Sequence, residues 1–345
     1  MPRQPFEIAG QTIRPGSIET VHLPVSSLPD HTPVSLSVQV HHGRREGPVM
    51  FVSAAVHGDE VIGVEIVRRL LRAPQLKSLR GTLLVVPVVN SFGFLNRSRY
   101  LPDRRDLNRC FPGHRSGSLG ARLAHIFLNE VVQRCEVGID LHSAAIHRTN
   151  LPQIRISPGD RPTREMAMTF GAPVVLSSPL RDGSLRAEAA QHGTSVLLYE
   201  AGEGLRFDEM AVRAGVAGIL RVMRGLAMLP ARSVAPAKAR PYLCESSTWL
   251  RAPVGGLLRT FRAEGELVQP GDLLATISDP FGGAETDLQA PSPGILIGRA
   301  ILPVVNEGDA IFHLAALNPR AADDTVEDLA AQLERDPLFD EDEII

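Results

Sequence analysis

The chain has 345 residues, 43% of them hydrophobic and 22% charged, with a formal net charge of −3. That length predicts two or three domains with ample chain to bury a core. The slight acidity, with no basic block, argues against nucleic acid as the main partner. Three scattered cysteines (Cys110, Cys135 and Cys244) argue against a disulfide framework. Residues 1–10 hold no apolar signal segment, and no apolar run approaches the roughly 18 residues of a membrane span, so a cytoplasmic protein without membrane attachment is expected.

Residues 1–45 carry many Pro and Gly and an alternating segment, Val34 to Val40, which predicts half-buried antiparallel strands packed on the main domain. His41 and His42 end this segment. Neighbouring side chains on a strand point to opposite faces, so these two histidines read as surface residues, not as a metal pair. From Val49 the rhythm becomes strand, loop, helix. Apolar runs at 49–55, 83–89, 137–141 and 195–199 read as buried strands. Helical periodicity marks 61–71, 119–132, 165–170, 185–192 and 208–228. Such alternation predicts an α/β domain over 46–230, with a parallel or mixed sheet flanked by helices. Residues 231–241 read as a Pro- and Ala-rich linker.

An internal repeat follows. Ala252-Pro-Val-Gly-Gly-Leu-Leu258 matches Ala290-Pro-Ser-Pro-Gly-Ile-Leu296, and Pro270-Gly-Asp-Leu-Leu274 matches Glu307-Gly-Asp-Ala-Ile311. Two facing copies predict a small all-β domain over 242–318 that resembles the biotinyl/lipoyl carrier sandwich. A carrier needs a lysine at the hairpin between its halves, and 278–289 contains none. A structural role or a place on a pocket rim is therefore expected. The acidic segment 319–345 reads as a helix and solvated tail.

The chemistry centres on His57-Gly-Asp-Glu60, just beyond the strand at 49–55. Zinc takes imidazole nitrogen and carboxylate oxygen at about 2.0–2.2 Å, and a turn bringing i and i+3 together offers one of each. A catalytic zinc needs one more protein ligand and an open position. His142, closing the strand that begins at Val137, is the candidate. Glu200, directly after Tyr199 at another strand end, is the candidate general base. Open α/β sheets bind ligands beyond their strands' carboxyl ends, where all three fall. Residues 90–113 read as a long polar loop rich in arginine, suited to stabilising oxyanion charge or clamping a carboxylate.

His57-Gly-Asp-Glu60, Asp106-Leu-Asn-Arg109, Asp140-Leu-His142 and Glu200-Ala-Gly202, in this order, resemble the succinylglutamate desuccinylase/aspartoacylase family, which shares the zinc carboxypeptidase-like fold. The resemblance spans about 45–230 and extends to the C-terminal β domain. It implies one zinc ion per chain held by His57, Glu60 and His142, with Glu200 as general base and then acid. It also implies that Asn108 and Arg109 bind the substrate α-carboxylate and that Arg99 polarises the scissile carbonyl, with Arg97 as its rival. A further arginine and a tyrosine would face the acyl group, with Arg155 and Tyr242 the candidates. The function so implied is zinc-dependent deacylation of an N-acyl amino acid or related small molecule by zinc-activated water. Acetyl, succinyl and larger acyl groups stay open, as does a cationic amine product, since some relatives deacetylate diaminobutyrate derivatives. The alternatives are a zinc carboxypeptidase acting on peptides and a zinc-containing binding protein without catalysis. The partner expected is the small-molecule substrate, with a small homo-oligomer as the default assembly.

Overall fold

Alternating polarity at the start of the chain becomes two antiparallel pairs in the computed structural model, which describes residues 3–317. A short hairpin of β1 (Phe6–Ile8) and β2 (Gln11–Ile13) precedes the long pair β3 (Ile18–Ser27) and β4 (Pro33–His42). The α/β region then runs β5 (Arg45–Ala54), α1 (Ile62–Leu70), β6 (Arg80–Val86), α2 (Ser91–Asn96), α3 (Leu119–Glu130), β7 (Val137–His142) and β8 (Arg148–Ile156). It continues through α4 (Arg161–Phe170), β9 (Val174–Ser177), α5 (Leu185–Gln191), β10 (Ser195–Gly202) and α6 (Glu209–Gly225).

One mixed sheet carries most of these strands, with β6, β5, β7 and β10 as parallel neighbours. From β5 the chain crosses through α1 to β6 on one side, then through α2 and α3 to β7 on the other. The helices of these two crossovers lie on opposite faces, in two separate cores. A crevice therefore opens between the carboxyl ends of β5 and β7, where a doubly wound sheet binds its ligands.

Packing fixes that crevice. Ile62, Ile66 and Leu70 recur on one stripe of α1 and are fully buried in the core that holds Val212 and Ile219 of α6. Each such side chain contributes roughly 1.5–3 kcal/mol. Gly63 lets α1 lie directly on the sheet, since a Cβ there would sit 2.9 Å from the Cβ atoms of Ala54 and Leu141. The base of α1, and with it the loop bearing His57 and Glu60, is thereby held against the ends of β5 and β7.

Beyond α6 come β11 (Tyr242–Cys244), β12 (Ser247–Arg251), β13 (Gly256–Thr260), β14 (Leu267–Val268), β15 (Leu273–Ser278), β16 (Glu285–Gln289), β17 (Gly294–Ala300), β18 (Val304–Val305) and β19 (Ala310–Ala316). β16, β15, β13 and β18 form an antiparallel sheet of their own. β12, β19 and β17 instead extend the main sheet, with β17 pairing β8. The apolar core between the two layers includes Leu258, Ile277, Leu296 and Phe312. The expected all-β sandwich is present in part: β16, β15, β13 and β18 form its own antiparallel sheet, whereas β12, β19 and β17 are continuous with the α/β sheet.

Three local expectations change. The segment 90–113 is not loop throughout: Asn90 caps α2 by accepting from the Gly93 N–H, and Leu107–Arg109 forms a 3-10 turn. β8 and β9 were not expected, because Pro152 and the polar Asn150, Gln153 and Arg155 break the apolar run. His41 and His42 are buried, 5% and 3% exposed, since β4 lies inside the sheet between β3 and β6. No helix among the described residues is long and apolar enough to cross a membrane. The tail expected over 319–345 lies outside the described residues.

Candidate active site

The loop after β5 is shaped by close contact. Ala55 turns the chain with φ of 52°, in the left-handed region. Gly58 then passes so near α2 that a Cβ would stand 2.0 Å from the Gly93 carbonyl carbon. Only glycine fits there, and it presents His57 and Glu60 to the crevice. His142 is the last residue of β7, and Glu200 of β10 is its parallel cross-strand neighbour.

His57, Glu60 and His142 converge. Their ligand-type atoms all lie within 4.8 Å of one another, and all three residues are buried. Glu60 sits between the imidazoles, with Oε1 2.6 Å from His57 Nδ1 and Oε2 2.7 Å from His142 Nδ1. The far nitrogens are held as well. His57 Nε2 donates to Asp106 Oδ1 at 3.0 Å, and His142 Nε2 donates to Asp140 Oδ2 at 2.8 Å. Ser53 fixes Asp140 by donating to its Oδ1 at 2.7 Å. A carboxylate on the outer nitrogen fixes ring orientation and leaves the inner nitrogen for a cation, the pattern of metal-ligating histidines.

Electrostatics make the same point. Burial disfavours charge on His57 and His142, but Glu60, Asp106 and Asp140 overcome it and hold both imidazoles above their ordinary pKa. Burial likewise disfavours charge on Glu60, and the two imidazoles overcome that, holding its carboxyl well below the carboxylate range. The cluster thus demands two positive charges. Two protons satisfy it, and so does one divalent ion with both imidazoles neutral. Two nitrogens, one carboxylate and an open side toward the cleft fit zinc.

The cleft, about 540 Å³, is shared by the triad, Glu200, Asn108 and Arg109. Asn108 is held by its Oδ1, which accepts from the Leu185 N–H at 2.9 Å. Arg99 also lines the cleft and bonds Glu60 Oε1 at 3.1 Å and Asp106 Oδ2 at 3.2 Å. Arg97 is the left-handed C-cap of α2 and is not among the lining residues. Arg155 lines the cleft 3.4 Å from Glu200 Oε1. Tyr242 lies on β11 against β9 and does not line it.

Sequence reading missed several lining residues. Arg186, 9% exposed, donates to the Ser178 and Pro179 carbonyls while its other terminal nitrogen has no partner. Burial, with Arg155 and Arg181 nearby, pushes its pKa down to about 10. Trp249 and His313, stacked at 4.3 Å, close the cleft from the C-terminal strands. The roles of Asp106 and Asp140 were also missed. Asp140 was open to inference, because residues i and i+2 of a strand share a face.

Comparison with known proteins gives the site its context. Residues 46–226 match the model of the succinylglutamate desuccinylase/aspartoacylase catalytic domain. An N-α-acetyl-L-2,4-diaminobutyric acid deacetylase of Halomonas elongata is 26% identical over 284 residues, covering 79% of this chain and 83% of that protein. A succinylglutamate desuccinylase/aspartoacylase structure from Rhodobacter sphaeroides superposes with a TM-score of 0.77 at 24% identity, covering 88% of this chain and 97% of that one. A product-bound ectoine utilization protein from Ruegeria pomeroyi gives 0.79 at 22% identity, covering 92% of this chain and 100% of that one. These last two likenesses establish the fold. With the catalytic-domain match spanning more than half its length, the chain belongs to the succinylglutamate desuccinylase/aspartoacylase family, hydrolases of the amide bond in acylated amino acids.

Proposed function

We propose that this protein is a zinc-dependent deacylase of small N-acyl amino acids, with His57, Glu60 and His142 as zinc ligands and Glu200 as the proton-transferring group. The observation that carries the reading is the side-by-side placement of Glu200 and His142 on adjacent parallel strands, in one cleft with the other two ligands. A zinc ion held by these three residues would supply a bound water with a pKa lowered to about 7 and a Lewis acid for the carbonyl. Glu200 accepts the proton of the attacking water and returns it to the departing amine. Arg99, paired with Glu60 and Asp106 at the edge of the cluster, would supply the charge that stabilises the oxyanion. Asn108 and Arg109 hold the α-carboxylate, Arg109 through a guanidinium suited to bidentate pairing.

The rest of the cleft narrows the substrate. Arg148, Arg155, Arg181 and Arg186 join Arg99 and Arg109 in its wall. The acidic residues there are committed: Glu60 to the imidazoles, Asp140 to His142 and Ser53, and Glu200 to Asn150 and Arg155. Among the described lining residues no carboxylate remains to pair with a substrate ammonium. The Halomonas elongata relative is named for an acetylated diaminobutyric acid. For this chain the arginines favour a substrate with a second negative charge instead. Trp249 and His313 closing the cleft favour a small acyl amino acid over a peptide.

The test is amine release from a panel of N-acetyl and N-succinyl amino acids by zinc-loaded protein. Hydrolysis of derivatives of acidic amino acids, or of dicarboxylic acyl groups, is expected. Turnover confined to unblocked oligopeptides would favour the carboxypeptidase reading. No hydrolysis of either set would favour a binding protein.

A further inference from the structure

The C-terminal strands are linked to Glu200 through Asn150 of β8. β8 lies between β17 and β10, and its Asn150 pairs with Gly298 on one side and Gly202 on the other. Asn150 is buried, and its Nδ2 donates to Glu200 Oε2 at 3.0 Å. The other half of the Asn150 side chain rests on Gly298, where an added Cβ would stand 2.5 Å from Asn150 Oδ1. No side chain larger than hydrogen fits at 298 while Asn150 stays in place. Gly298 also marks the point where β17 shifts register against β19 and turns to pair with β8. A glycine within a strand at such a shift signals close approach of a neighbour.

We propose that Gly298 and Asn150 form a positioning pair through which the C-terminal β unit fixes the orientation of the Glu200 carboxylate. Asn150 holds one oxygen and Arg155 the other. A hydrogen bond from Asn150 and an ion pair from Arg155, both on β8, fix the plane of the carboxylate as well as its place. Loss of the Asn150 donor leaves Glu200 free to turn toward Arg155. The C-terminal unit is then part of the active-site scaffold, which fits the absence of a carrier lysine. The catalytic consequence rests on the reading of Glu200 as the base.

The test uses the full-length zinc-loaded protein and an N-acyl amino acid that the wild type hydrolyses. N150A and G298A should each lower kcat by about tenfold to a hundredfold, the scale of a misplaced catalytic group. KM should stay within about twofold, because substrate binding is untouched. Zinc content should be unchanged. In the N150A background the G298A change should cost almost nothing more, because the atom it would strike is gone. Wild-type kcat in N150A, a loss carried by KM, or multiplying losses in the double variant would overturn the pairing. Should G298A not fold, N150L carries the test, since it comes close to the shape and loses the donor without placing a second carboxylate beside Glu200. A kcat as low as that of N150A supports the pairing, and a wild-type kcat overturns it. If the wild type hydrolyses nothing, the functional reading fails by itself. A crystal structure of G298A, or of N150L where G298A does not fold, then decides the pairing: a displaced Glu200 carboxylate supports it, and an unmoved one overturns it.

Discussion

Two pairs of buried histidines sit toward opposite ends of the parallel strands and behave in opposite ways. His41 and His42 are as buried as His57 and His142, at 5% and 3% against 4% and 2% exposed. Both pairs line clefts of nearly equal size, about 530 and 540 Å³. The hydrogen-bond partners of His41 and His42 are neutral (Gln39, Thr82 and the Gln4 carbonyl), and the nearby charges of Arg3 and Glu46 act on His42 with opposite signs. Burial there dominates and lowers both pKa values. Around His57 and His142 stand Glu60, Asp106 and Asp140, and both pKa values rise. Burial alone gives a neutral structural histidine. Carboxylates on both sides of the ring favour a positive charge there, carried by the imidazole or by a cation.

The sharpest way to break this contrast is to remove its central carboxylate. E60A should lose bound zinc and fall to background turnover, whereas H41A should keep full zinc content. Metal analysis of the two purified variants checks both. Next in size is E200Q, which should retain zinc but lower kcat by about 10²–10⁴-fold. Full turnover in that variant would remove Glu200 from its proposed role. D140N keeps the ligands and weakens only the outer support of His142, so zinc affinity should drop about 10–100-fold in a competition titration with a chelator.

The other pair answers to stability alone. H42A removes one buried and one part-buried hydrogen bond and should cost about 2 kcal/mol in urea denaturation, with zinc binding intact. The smallest expected effect is in metal-free protein, where the pairs should oppose each other with pH. The raised pKa values of His57 and His142 give stabilisation that is complete below the unfolded value of 6.5 and lost as pH rises through the folded value. The lowered values of His41 and His42 give stabilisation present above 6.5 and lost as pH falls. Metal-free wild type should therefore lose stability above pH 6.5 more steeply than metal-free E60A, as read from urea midpoints.

Much of this arrangement was legible in the chain because it is local. Short apolar runs at 49–55, 137–141 and 195–199 locate strand ends, and His57, His142 and Glu200 follow them directly. What was not legible depends on distant parts of the chain. β8 hides behind Pro152 and alternate polar residues whose side chains face the cleft or its supports. Trp249 and His313 reach the cleft only because β12 and β19 extend the main sheet, a pairing that no local pattern announces. Arg186 sits on the short helix α5, where its apolar neighbours suggest an ordinary surface cation, yet the folded chain buries it beside Arg155 and Arg181. The misreading of His41 and His42 has the same origin, since β3 and β6 cover β4 from both edges.

The most direct test of the account is the zinc content of the purified protein, measured with amine release from N-acyl acidic amino acids before and after chelation. The account predicts one zinc per chain, loss of turnover when it is removed, and recovery when zinc is restored. Undiminished turnover by metal-free protein, or no zinc uptake after reconstitution, would contradict it.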